Sequence, residues 1–199
     1  MRKIIDLMEI KFLVVDDSQF SRSIVKAILR ALGAQAVHIH EATDGEDALK
    51  ALAAHKPDIA IVDYKMEPMG GIQLTKAIRR NPECPARTMP IIMLSAFTAE
   101  ELVATARDAG VTEYVSKPIS IEALYLRIEE TVLRPRQFVI AENFCGPDRR
   151  RRVDEFYAGP CRRTSDHDPA APPAPPSAAV AGGEASREVE LVAEEGQAT

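Results

Sequence analysis

Five polar residues could act together on a phosphoryl group: Asp16, Asp17, Asp63, Ser95 and Lys117. Each stands at the end of a short strand-like run, three of these runs being apolar throughout. Phe12-Leu-Val-Val15 stops at Asp16-Asp17, Ile59 to Val62 at Asp63, Ile91-Ile-Met-Leu94 at Ser95, and Glu113-Tyr-Val-Ser116 at Lys117-Pro118. Any one of them reads as a cap or turn residue. Together they make one reaction's worth of groups. Three carboxylates in a small pocket repel one another, and a divalent cation relieves the repulsion. All-oxygen ligation with retained waters suits Mg²⁺. Lys117 could pair with one phosphoryl oxygen while the Ser95 hydroxyl donates to another, as phosphoryl transfer requires. Asp63 is placed to attack, giving an aspartyl phosphate. Lys117-Pro118 is also a place where a cis peptide costs little.

The runs that carry these residues are strands. Phe12–Val15, Ile59–Val62 and Ile91–Leu94 are apolar throughout, as strands buried on both faces of a parallel sheet are. Residues 36–42 alternate, with Val37 and Ile39 against His38 and His40, so an edge strand is expected there. Its histidines read as outward residues rather than metal ligands. Between the strands lie helical patterns over about 19–32, from 44 to just before Pro57, and over about 71–80, 98–109 and 120–133. The first has Ser18 as its N-cap and Gly33 as its stop, and should bury Phe20, Ile24, Val25, Ile28, Leu29 and Leu32. The last should bury Ile121, Leu124, Ile128 and Val132. Five strands alternating with five helices give an α/β, (βα)5 doubly wound parallel sheet. The two weaker strands belong at its edges, which fits the order 2-1-3-4-5. In that order a site forms at the carboxyl ends of the first and third strands.

The 199 residues suffice for one such domain with a remainder. At 46% hydrophobic but 5% aromatic, the core must be aliphatic. A net charge of −5 carries no overall nucleic-acid signature. No apolar run approaches a membrane span. Residues 1–9 have charges inside their apolar part and make a poor signal peptide, so they read as a short extension. Cys84, Cys145 and Cys161 fit no metal pattern and read as unpaired thiols of a cytoplasmic protein.

Phe12-Leu-Val-Val-Asp-Asp17, Ile61-Val-Asp63 with Met66 and Gly70-Gly71, Leu94-Ser-Ala96 and Tyr114-Val-Ser-Lys-Pro118 resemble a response-regulator receiver domain of two-component signalling, of the single-domain, chemotaxis-regulator-like kind. The resemblance covers about residues 10–133. It implies that Asp63 accepts phosphate from a sensor histidine kinase or phosphotransfer protein. Asp17 would then ligate Mg²⁺ directly and Asp16 mainly through water, with the Lys65 backbone carbonyl as a further ligand. Ser95 and Tyr114 would be a switch pair, and a downstream target protein would read the fourth helix, fifth strand and fifth helix. Such a protein is not an enzyme beyond catalysing its own phosphorylation and dephosphorylation. One departure stands out: where the family often has proline four residues after the acceptor, this chain has Glu67, with Pro68 next. A phosphatase of the haloacid-dehalogenase type would need Asp-x-Asp spacing, which Val15-Asp-Asp-Ser18 lacks.

Residues 134–163 contain Arg and no Lys, and Aromatic-x-Gly-Pro-x-Arg-Arg occurs twice, at Phe144–Arg150 and Tyr157–Arg163. Arg149, Arg150, Arg162 and Arg163 could grip an acidic partner surface through their guanidinium forks. They could also touch nucleic acid, which makes a nucleic-acid-binding regulator the alternative function. A solvated basic linker is the plain reading. Residues 164–199 are rich in Pro, Ala and Glu, a composition of disordered segments.

Overall fold

A computed structural model describes residues 5–97, 99–141 and 144–149. The expected five strands are β1 (Phe12–Val15), β2 (Ile39–Ala42), β3 (Ile59–Asp63), β4 (Ile91–Ser95) and β5 (Glu113–Ser116). All pair in parallel, in the order β2-β1-β3-β4-β5. The helices are α1 (Gln19–Ala31), α2 (Gly45–His55), α3 (Gly71–Arg80), α4 (Glu100–Ala109) and α5 (Ile121–Leu133). Alternate residues of the strands feed two cores. Phe12, Val14, Ile59, Ile61, Ile92 and Leu94 meet Val25, Ile28 and Leu29 of α1 and Leu124 and Ile128 of α5. Leu13, Val15, Ala60, Val62 and Ile91 meet Ala48 and Leu52 of α2 and Leu74 and Ile78 of α3. Helices therefore cover both faces, because central strands buried on both sides need cover on both.

Side-chain caps start three of the helices. Ser18 Oγ accepts from Ser21 N, Asp44 Oδ1 from Glu46 N and Asp47 N, and Ser120 Oγ from Ala123 N. Gly33 (φ 101°) follows α1 and Gly110 (φ 96°) caps α4.

Within residues 5–133 the structure departs from the sequence reading in four places. Residues 36–38 form a 3-10 turn, so Val37 is exposed and the strand starts only at Ile39. Phe20 is 76% exposed and Ile24 is exposed, because the buried stripe of α1 is the narrower one through Val25, Ile28 and Leu29. On α5, Ile121 and Val132 are exposed while Thr131 is buried. The extension contributes Leu7, 1% exposed, to the first core, and burying a leucine is worth about 1.5–3 kcal/mol.

After α5 the chain makes an antiparallel hairpin, β6 (Phe138–Ala141) with β7 (Phe144–Pro147). The start of the Arg-rich stretch is thus structured and packs on α3 and α4. The second repeat, with Arg162 and Arg163, lies outside the described residues, as do Arg150, Cys161, residues 164–199 and Thr98. No helix among the described residues is long and apolar enough to cross a membrane.

Candidate functional site

β1 and β3 are neighbours, with Val15 opposite Val62, so Asp16 and Asp63 come out of the sheet side by side. Both are buried, at 2% and 6% exposure. Lys117, just past β5, bridges them: its Nζ lies 2.9 Å from Asp16 Oδ2 and 2.6 Å from Asp63 Oδ1. The other oxygens are held by local backbone. Asp16 Oδ1 accepts from Ser18 N at 2.8 Å, and Asp63 Oδ2 accepts from Lys65 N at 2.8 Å. Both carboxylates are thereby fixed by the turns that terminate their strands. Gly71 guarantees the path of the chain here. A Cβ at that position would overlap the Asp63 carbonyl oxygen, so α3 can begin against the strand end only with glycine there.

The electrostatics follow from this burial. Desolvation raises the pKa of Asp63 above the ordinary aspartate value, and the neighbouring Asp16 charge adds to the rise. Hydrogen bonding and charge from Lys117, with the Lys65 amide, oppose it. Burial penalises the Lys117 ammonium, but Asp63 and Asp16 outweigh that and hold its pKa above the ordinary lysine value.

Asp17 is exposed beside this pair. Lys65 and Glu67 are exposed in the loop after β3, where Glu67-Pro68 is cis, as is Lys117-Pro118. Among the described residues no three His, Cys, Asp or Glu side chains are arranged as a ready metal cluster. The available donors are carboxylates and a backbone carbonyl, all hard oxygens. That chemistry fits Mg²⁺, which keeps several waters and is rarely held in an all-protein cage.

Ser95 and Tyr114 both reach the backbone of Phe97. The Phe97 amide donates to Ser95 Oγ at 3.0 Å, and the Tyr114 hydroxyl donates to the Phe97 carbonyl. The two residues named from the sequence are therefore coupled through one exposed loop residue, which the sequence reading did not single out. Tyr64 also meets the Phe97 ring edge-on, with centroids 6.2 Å apart. His40 stacks on His55 at 3.9 Å.

The structure engages Arg149 internally. Its Nη1 is 2.9 Å from Asp108 Oδ1 of α4, and its guanidinium lies 4.1 Å from the Phe144 ring centre. Glu113 of β5, 2% exposed in its side chain, is paired with Arg136 and with Arg127 at 3.6 Å. Alternation along β5 is the only sequence signal for it.

The response regulator receiver domain family matches residues 12–129. The transcriptional regulatory protein PdtaR of Mycobacterium tuberculosis is 36% identical over 132 residues, 66% of this chain and 61% of that protein. The chemotaxis protein CheY of Pseudomonas aeruginosa is 35% identical over 120 residues, 60% of this chain and 94% of that one. Among solved structures, chemotaxis protein CheY4 of Vibrio cholerae superposes with a TM-score of 0.55 at 30% identity, covering 61% of this chain and 97% of that chain. The CheX-CheY-BeF3-Mg complex from Borrelia burgdorferi gives 0.56 at 26% identity, covering 62% and 89%.

Proposed function

The chain belongs to the response regulator receiver family, and on that premise we propose that it accepts a phosphoryl group on Asp63 and signals through a phosphorylation-dependent protein contact. The observation that carries the reading is the buried pair Asp16 and Asp63 bridged by Lys117. In the reaction, an Asp63 carboxylate oxygen forms a bond to the phosphorus of a phosphohistidine or small phosphodonor. The bond from phosphorus to the donor breaks, and the donor leaves with the electron pair. Lys117 is already charged and holds Asp63 at 2.6 Å, so it can exchange that contact for one to a phosphoryl oxygen. Ser95 Oγ can turn from the Phe97 amide to donate to another. Asp16, Asp17, Asp63 and the Lys65 carbonyl would hold Mg²⁺. Bound there, the ion would neutralise charge on the phosphoryl oxygens.

The switch we infer is the pair Ser95 and Tyr114. Phosphorylation adds about −1.5 to −2 charge. When Ser95 turns to it, the Phe97 amide loses its acceptor, and the Tyr114 bond to the same residue is disturbed. A histidine kinase or phosphotransfer protein would supply the group, and a partner protein would read the result. The test is labelling by a small phosphodonor with and without Mg²⁺. Labelling that needs Mg²⁺ and vanishes in Asp63→Asn supports the reading; label retained in that variant refutes it.

A further inference from the structure

The far end of α3 carries a second polar feature. Arg79 is 1% exposed and is the largest fully buried side chain among the described residues. Its Nε donates to the Gly110 carbonyl at 3.0 Å and its Nη1 to the Arg87 carbonyl. Its Nη2 is buried with no partner. No carboxylate among the described residues pairs with it, and the Phe138 ring of the hairpin covers it, 5.4 Å from the guanidinium carbon to the ring centre. Burial accordingly lowers its pKa to about 10. A buried guanidinium resting on neutral carbonyls is costly unless an anion completes it.

A cleft of about 330 Å³ opens beside it, lined by Lys76, Arg79, Arg80, Arg87, Asp108 and Phe144 among others. Four of these are cations. Lys76 and Arg80 make no ion pair among the described residues, and the single acid, Asp108, is already paired with Arg149. The volume is that of a small-molecule site. Arg79 Nη2 is left over, Arg87 keeps its terminal nitrogens while its Nε donates to the Arg79 carbonyl, and with Arg80 and Lys76 these donors suit the oxygens of a phosphate group.

We propose that this cleft, between the C-terminal half of α3, the loop carrying Arg87, α4 and the β6–β7 hairpin, binds a small phosphate-bearing anion. Both ends of the domain's third helix then handle phosphate, the acceptor loop at one and this cleft at the other. α3 has ten residues, so the two lie about 15 Å apart along its axis.

The test is calorimetric titration of the full chain, without Mg²⁺, with inorganic phosphate and separately with ATP. Saturable binding of either anion is expected. It should weaken at least tenfold in a Lys76→Ala/Arg80→Ala double variant, whose exposed positions leave the fold intact by circular dichroism. Arg79→Met should also lose it. Lys117→Ala should keep it, which separates the cleft from the acceptor pocket, where Lys117 could also hold an oxyanion. Phosphate binding points to the bare ion, and binding of ATP alone to phosphate carried on a larger molecule. No saturable binding of either anion overturns the proposal. So does binding unchanged in the folded double variant, or binding lost in Lys117→Ala.

Discussion

In the proposed reaction Asp63 must be charged to attack phosphorus, yet it is buried. Lys117 is what makes the two compatible, since it opposes the desolvation that raises the Asp63 pKa. Lys117→Met should therefore push the Asp63 pKa further up, measurable by carbon NMR of the labelled carboxyl. The same variant should phosphorylate about 10²-fold more slowly, the usual scale for loss of one fixed electrostatic donor. A linkage consequence follows. Folded Asp63 holds its proton to higher pH than unfolded Asp63, so its contribution to stability is present below about pH 3.9 and is lost as pH rises through the folded value. Urea unfolding of wild type and Asp63→Asn should show the wild type losing ground as pH rises from about 4 toward neutrality. A widening wild-type advantage over that range would contradict the assigned environment. These positions were legible in sequence because each polar residue stands at the end of a strand-like run. Phe97 was not, because its role lies in backbone atoms that any residue has. Arg79 was not, because i, i+4 spacing does not reveal a charge that the hairpin will cover.

The strands and helices were legible for the same reason the site was: uninterrupted apolar runs and capped amphipathic segments have few other uses. Burial at helix ends was not. Phe20 and Ile121 fit the helical period but lie in the first turns of α1 and α5, ahead of the residues those helices bury. The hairpin was missed because its arginines dominate the composition of that stretch. Its Gly146 now has a physical meaning. A Cβ there would lie 2.6 Å from the Gly110 Cα, and one on Gly110 would lie 2.7 Å from the Cys145 carbonyl oxygen. The two backbones touch, so Gly146→Ala should cost about 1–3 kcal/mol in urea unfolding, the scale of overpacking. Glu113 ties the same returning chain to β5. Glu113→Ala leaves Arg136 facing an emptied buried site and should cost about 3 kcal/mol or more. A neutral result at either position would mean that the hairpin does not dock as described.

At the scale of the molecule, the proposed switch and the hairpin share the α4–β5 region. Tyr114 sits on β5 between Glu113, which binds Arg136, and the strand end that leads to Lys117. A reader of the phosphorylated state that approaches α4 and β5 would meet the Arg134–Arg149 segment as well. Phosphorylation should also alter hydrogen exchange at the Phe97 amide, since Ser95 Oγ is its acceptor. Unchanged exchange there would remove Ser95 from the switch. Everything rests on where the phosphoryl group goes. The most direct measurement is chemical trapping of the acyl phosphate with borohydride after reaction with a small phosphodonor and Mg²⁺, followed by peptide mapping. One trapped site, Asp63, is expected; a trapped site at any other carboxylate, or none while the protein is labelled, would overturn the assignment.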